Sequence, residues 1–145
     1  MLLGKQQRYD NMYMDIAKRV SEMSYDTDTK VGAIIVKDGN IISMGWNGTP
    51  SGFPNECKNV KTGATLPYVI HAESNAICKL ARTGGNGSAA TLYTTLAPCM
   101  ECTKLILQSG INEVVIQQAD ERYMDAYNIL KEKEMIRLCK FTSDQ

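Results

Sequence analysis

Histidine is almost absent from this chain: its 145 residues contain one, His71. Chemistry that needs an imidazole, whether proton transfer near neutral pH or metal binding, must therefore use that position. Excess charge is absent too. Lysine plus arginine and aspartate plus glutamate number 16 each. The basic pair Lys18-Arg19 and the mixed run Lys131-Glu132-Lys133-Glu134 read as solvated helix surface. This balance argues against an extended track for nucleic acid, while leaving room for one small phosphate pocket. No apolar run approaches the roughly 20 residues that span a bilayer. The start, Met1-Leu2-Leu3-Gly4-Lys5, is too short for a secretory signal, so we expect a cytoplasmic protein with no membrane partner. Five cysteines, an odd number, suit a reducing compartment better than a disulfide framework.

What chemistry there is concentrates in two short stretches. Ala97-Pro98-Cys99-Met100-Glu101-Cys102 sets two cysteines three apart. On a helix such residues share a face, with Cβ atoms about 5–6 Å apart. Both sulfurs can then bind one tetrahedral zinc at about 2.3 Å. Pro98 lacks the N–H that a helix start leaves unpaired, so the pair is expected on a first turn, where exposed N–H groups favour thiolates. His71 becomes the third ligand by scarcity. Three protein ligands and an open position describe catalytic zinc, whereas structural zinc normally has four. Glu73 is the candidate proton carrier beside that metal. Residues two apart diverge in mid-helix, so His71 and Glu73 share a site only at a helix end, where the chain bends. Taken singly, each motif has an ordinary reading: a lone histidine packs or sits on the surface, and a lone CxxC is redox-active or structural. Taken together, H-x-E followed by P-C-x-x-C resembles the signature of zinc-dependent deaminases.

In chain order, Met12, Ile16, Val20 and Met23, with Tyr13 and Ala17, predict a helix packed along that stripe. A polar loop, Ser24 to Thr29, precedes a strand Val31–Val36, a turn Lys37-Asp38-Gly39-Asn40 and a second strand Ile41–Trp46. Residues 47–67 carry three of the four prolines and read as a long irregular connection, a length that is usually functional. A helix from His71 to Arg82, with Ala76, Ile77 and Leu80 inward, stops at Gly84-Gly85. A strand Ala90–Thr95 delivers the chain to Pro98, and the CxxC helix runs to Ser109 with Gly110 as a left-handed stop. Val114-Val115-Ile116 reads as a strand, the Tyr123, Ala126, Tyr127 and Leu130 stripe as a helix, and Met135–Phe141 as a last strand. Strands alternating with helices predict an α/β fold with a mostly parallel sheet between helices. Ligands in such folds gather where helices begin beyond strand ends, so the starts of the His71 and CxxC helices are expected to converge.

Across about residues 10 to 141 the chain resembles the deoxycytidylate (dCMP) deaminase family of the cytidine-deaminase superfold. Gly45-Trp46-Asn47-Gly48-Thr49-Pro50-Ser51-Gly52 is similar to the family's G-Y-N-G-x-P-x-G loop, with Trp46 in place of the usual tyrosine. Pro67-Tyr68-Val69 leading to His71-Ala72-Glu73-Ser74-Asn75-Ala76-Ile77 resembles its approach to H-A-E-x-N-A-I. Tyr123-Met124-Asp125 stands where the family has Y-H-D. Some relatives hold a second, structural zinc with additional histidines, which this chain does not have; Cys57 is then a remnant or a plain loop cysteine.

The resemblance implies one zinc-dependent deaminase domain over residues 1–145, a three-layer α/β/α fold whose five-stranded mixed sheet opens with an antiparallel hairpin. It implies hydrolysis of dCMP to dUMP and ammonia by a homo-oligomer, a hexamer favoured, activated by dCTP and inhibited by dTTP, each with Mg²⁺. It puts zinc on His71, Cys99 and Cys102, with Glu73 as the catalytic acid and base. Asn47 is expected on the sugar 3′-hydroxyl, Ala72 beside the substrate, and Ser24, Tyr123 and Lys30 on the 5′-phosphate. Gly45, Trp46, Gly48, Thr49, Gly52 and Phe53 are expected to bind the effector. Glu73 would carry a proton to N3 of the cytosine and then to the departing amine, which calls for a dry site that raises its pKa. Within the superfold the alternatives are a tRNA adenosine deaminase or a free-nucleoside deaminase. Outside enzymes, the alternative is a zinc-stabilised interaction module with Cys57 in the fourth ligand position. Cys78 stands two helical turns, about 10.5 Å, from His71 and is poorly placed for that.

Overall fold

The computed structural model describes residues 4–139. Helix α1 (Lys5–Ser21) leads to a hairpin of β1 (Gly32–Lys37) and β2 (Asn40–Trp46). Asp38 and Gly39 turn it with φ of 51° and 77°, the left-handed geometry that tight hairpins need. After the irregular connection come α2 (Ala72–Arg82), β3 (Thr91–Leu96), α3 (Met100–Gln108), β4 (Glu113–Gln118), a 3-10 turn at Glu121–Tyr123, α4 (Met124–Glu132) and β5 (Ile136–Leu138). The last expected strand is thus seen only to Leu138; its end at Lys140 and Phe141 lies outside the described residues.

The sheet order is β2-β1-β3-β4-β5. It is the mixed five-stranded sheet that was expected, but β1 is antiparallel to both β2 and β3, and only β3–β4 and β4–β5 are parallel neighbours. The alternation of helices and strands correctly makes β2 to β5 run the same way. The hairpin partner β1 then sits between β2 and β3, which turns two neighbouring pairs antiparallel.

Side chains alternate across the sheet and build two cores. Ala33, Ile35, Leu92, Val114, Ile116 and Ile136 face α2, α3 and α4, where Ala76, Leu80, Ile106 and Leu130 cover them. Ile34, Val36, Tyr93 and Val115 face α1, where Tyr13, Met14, Ala17 and Val20 cover them. The three layers follow.

Of the expected stripe Tyr13, Ala17 and Val20 are buried and Ile16 packs against them, but Met12 is 45% exposed, Met14 is fully buried in its place, and Met23, 52% exposed, lies past the end of α1. The cause is polar. Asp10, one turn before Tyr13 and Met14, is buried; it accepts a 2.6 Å hydrogen bond from the Tyr93 hydroxyl and is paired to Arg137. Arg137 also bonds Glu113 at 2.9 Å, so α1, β3, β4 and β5 share one ionic cluster. Among the described residues no helix is long and apolar enough to cross a membrane.

Burial alone would push the Asp10 carboxyl up, but hydrogen bonds from Arg137, Tyr93 and Gln6 outweigh it and hold the group below its ordinary value. A carboxyl depressed in the folded state stabilises the protein fully above its unfolded pKa of about 3.9. That contribution is lost as pH falls through the lower folded value. Asp10→Asn should therefore destabilise the protein at about pH 7 and do so much less at about pH 2.5. Urea midpoints at the two pH values check this; equal losses at both would contradict it.

Candidate active site

The site is made by two helix starts. His71 is the N-cap of α2 with extended backbone, φ −69° and ψ 156°. Its side chain therefore leaves the chain before the helix begins, while Glu73 sits in the first turn, and this bend brings residues two apart to one place. Cys99 is likewise the N-cap of α3, and its sulfur accepts from the Cys102 N–H at 3.5 Å. Pro98 falls just outside α3 and not on its first turn, because Cys99 takes the capping position. His71 Nδ1 lies 3.4 Å from the Cys99 sulfur and 3.4 Å from the Cys102 sulfur. The three ligand atoms all lie within 4.8 Å of one another, and no fourth His, Cys, Asp or Glu joins them among the described residues. Cys57 is buried in the wall of a different cavity and Cys78 is exposed, so neither closes the set.

The electrostatics suit a cation. The hydrogen bond from the Cys102 thiol holds Cys99 down at about 4; burial opposes this and His71 adds to it. Cys102 is pushed up by the same bond and by burial. His71 is raised mainly by its bond to Cys99, against its own burial. One proton thus serves two sulfurs, and a divalent ion would replace it. Two sulfurs and one imidazole nitrogen are a zinc donor set. Glu73 is pushed up to about 7 by burial, with its own backbone N–H and His71 pulling the other way.

His71, Ala72, Glu73, Ala97 and Cys99 line a cavity of about 150 Å³ together with Asn47, Lys58, Arg122 and Tyr123. Of the expected substrate contacts, Ala72, Asn47 and Tyr123 are in this wall. Asn47 is also a clamp: its Oδ1 accepts from the Val31 N–H at 2.9 Å and its Nδ2 donates to the Thr29 carbonyl at 2.9 Å. Ser24 is not in the wall. It is buried behind it, donating to the Asn47 carbonyl at 2.7 Å and accepting from the Asp26 N–H at 3.1 Å. Lys30 lines a separate depression with Lys18, Thr95 and Gln118. The cations in the wall are instead Lys58 and Arg122. Lys58 is paired to Asp26 at 3.1 Å. Arg122 is paired to Asp120 through Nε and Nη2 and lies 4.9 Å from the centre of the Tyr123 ring. Adjacency to Tyr123 is the signal that would have pointed to Arg122; for Lys58, in an irregular connection, the sequence carries none.

Trp46, Gly48, Thr49, Gly52 and Phe53 line a second cavity of about 420 Å³ with Lys79 and Arg82. Gly45 does not. It lies under α2, where a Cβ would fall 2.5 Å from the Ala72 carbonyl and the Ala76 nitrogen.

With this geometry in place, comparison with known proteins is direct. Residues 7–118 match the family model for the cytidine and deoxycytidylate deaminase zinc-binding region. The chain belongs to this family. It is 38% identical over 122 residues to the deoxycytidylate deaminase of Pongo abelii, covering 79% of this chain and 66% of that protein. It is 36% identical over 142 residues to that of Enterobacteria phage T4, covering 70% of this chain and 74% of that protein. The chain therefore spans about two thirds to three quarters of the length of these curated relatives. The crystal structure of dCMP deaminase from the cyanophage S-TIM5 in complex with dCMP and dUMP superposes with a TM-score of 0.84 at 35% identity, covering 94% of this chain and 99% of that one.

Because the sulfurs supply two of three ligands, Cys99→Ala and Cys102→Ala should each lose most bound zinc and some thermal stability, since metal binding is coupled to folding. Atomic absorption on purified protein measures this. Full zinc stoichiometry in both variants would put the ligands elsewhere.

Proposed function

We propose that this chain is a single zinc-dependent deaminase domain that hydrolyses dCMP to dUMP and ammonia. The observation that carries the reading is the buried Glu73 carboxyl beside a three-ligand cluster in the wall of one cavity. Family membership and the dCMP and dUMP bound to the cyanophage protein support the choice of substrate. Zinc held by His71, Cys99 and Cys102 would supply a Lewis acid that acidifies water at neutral pH. Glu73 takes the proton, delivers it to N3 of the cytosine, and passes a proton to the amine that leaves C4. A carboxyl poised near 7 serves as both base and acid, which one near 4 would not.

Recognition of the rest of the nucleotide falls to other residues of the same wall. Asn47 spends one donor and one acceptor on the Thr29–Val31 backbone, and the amide's second N–H and second lone pair are left for the sugar 3′-hydroxyl. Asp120 takes the Nε and Nη2 edge of Arg122, and the Nη1 edge is left for a phosphate oxygen, above Tyr123. Ser24 then acts through Asn47, and the phosphate role expected of Lys30 passes to Arg122.

The second cavity is the proposed effector site for dCTP as activator and dTTP as inhibitor, each with Mg²⁺. Lys79 and Arg82 offer it positive charge. Its wall is tied to the catalytic end by paired Gly48 and Ile70 backbones, 3.0 and 2.8 Å, one residue from His71, and by Asn75 Nδ2 on the Trp46 carbonyl at 3.0 Å. We propose a cytoplasmic homo-oligomer, a hexamer favoured, as its working form.

Ammonia release from dCMP, deoxycytidine, CMP and a tRNA anticodon stem, with and without dCTP and dTTP in Mg²⁺, tests these statements together. dCMP should be the preferred substrate, its saturation curve shifted in opposite directions by the two triphosphates. Preference for any other substrate would overturn the specificity, and curves that neither triphosphate moves would overturn the regulation. Glu73→Gln should keep its zinc and lose about 10²–10⁴-fold or more in kcat; near-normal turnover in a zinc-replete sample would contradict the role of Glu73.

Arg122→Gln should raise KM for dCMP by about 10–100-fold, the loss of a charge-assisted hydrogen bond of about 1.5–3 kcal/mol. Residual activity on deoxycytidine should hardly change. Equal losses on nucleotide and nucleoside would point to packing of Tyr123 instead.

A further inference from the structure

Helices α2 and α3 meet at their first turns, and a hydroxyl lies between them. The Ser74 Oγ is 3.2 Å from the Cys102 sulfur, which is 28 residues away in the chain. Other hydroxyls at the helix ends bond carbonyls three or four residues back: Ser21 to Lys18, Thr83 to Lys79 and Leu80, Ser109 to Ile106. That local bond is the usual habit of serine and threonine in helices. The corresponding carbonyl for Ser74 is that of His71, which accepts from the Asn75 N–H at 2.9 Å. Ser74 reaches instead to a sulfur on another helix.

We propose that Ser74 is a positioning residue of the metal site, its hydroxyl donating to the Cys102 thiolate and holding that sulfur toward His71 Nδ1. The inference rests on the zinc reading of the His71, Cys99 and Cys102 cluster. A metal-binding cysteine is a thiolate and can only accept, so the shared proton must come from serine. The two sulfurs are supported in different ways. Cys99 receives the backbone N–H of Cys102, which no side-chain substitution removes. Cys102 is 2% exposed, and its donor from outside the ligand set is the Ser74 side chain. Partners of this kind fix the direction of a ligand and tune its charge, and their loss typically costs about 10–100-fold in metal affinity.

The test uses the zinc-loaded protein and its cobalt-substituted form. Zinc release to a chromophoric chelator should be about tenfold or more faster from Ser74→Ala than from wild type. The thiolate-to-cobalt charge-transfer band should shift, and Ser74→Thr, which keeps the hydroxyl, should restore both. A wild type without stoichiometric zinc would remove the metal-site reading and this proposal with it. A zinc-loaded wild type matched by Ser74→Ala in release rate and cobalt spectrum would overturn the proposal alone. Faster release with an unmoved cobalt band, not restored by Ser74→Thr, would assign Ser74 to packing of α2 on α3 and overturn it equally.

Discussion

Two glycines let helix backbones lie directly on the sheet, and the site depends on one of them. At Gly45 in β2, a Cβ would meet the backbone of α2 at Ala72 and Ala76; at Gly32 in β1, it would meet the backbone of α1 at Ala17 and Ser21. Backbone cannot move aside as a flexible side chain can, so each helix takes a height above the sheet that only glycine permits. For α2 that contact falls on its first turn. The close seat at Gly45 thereby sets where His71 leaves the chain and how deeply Glu73 is buried. The parallel run from β3 through Pro98 brings the start of α3 to the same end of the sheet. α2 packs chiefly on β2 and α3 follows β3, with β1 between those strands in the sheet, and the two starts meet at His71, Cys99 and Cys102.

The catalytic constellation was legible because it is chemically scarce. One histidine, one P-C-x-x-C and one glutamate two residues after the histidine leave little choice, and the need for a helix end at His71 follows from side-chain direction alone. The hairpin was legible from Asp38-Gly39, and the direction of β2 to β5 from alternation. The phase of α1 was legible only in part: Tyr13, Ala17 and Val20 are inward as expected, but Met14 and not Met12 joins them. Methionines at 12, 14 and 23 allow more than one apolar stripe, and the choice is made by Asp10, buried to meet Tyr93 and Arg137 from strands 83 and 127 residues away. No periodicity in a sequence reports a buried aspartate whose partners are that distant.

The rest of the cleft wall was the least legible part for a related reason. Lys58 and Arg122 are ordinary surface residues in sequence terms, and what makes them different is the wall they share with His71 and Glu73. Ser24 and Lys30 stand close to Asn47 and Val31 along or across the chain, yet one is spent on the Asn47 carbonyl and the other lines a separate depression. Nearness to a site did not decide which side chains enter it.

Charge balance explains how a carboxyl can be buried beside two sulfurs without a lysine or arginine against it. Two thiolates and a dication sum to zero, and a neutral His71 adds nothing. Zinc bound there would leave Glu73 facing a centre with little net charge, and burial already raises its carboxyl without the ion. A permanent cation near Glu73 would hold the carboxyl ionised, and a fixed anion would hold it protonated. The positive groups of the cleft, Lys58 and Arg122, are instead tied to Asp26 and Asp120. Opposed charge is thus spent away from Glu73, and a centre close to neutral lets a small change in the reacting ring move a proton either way.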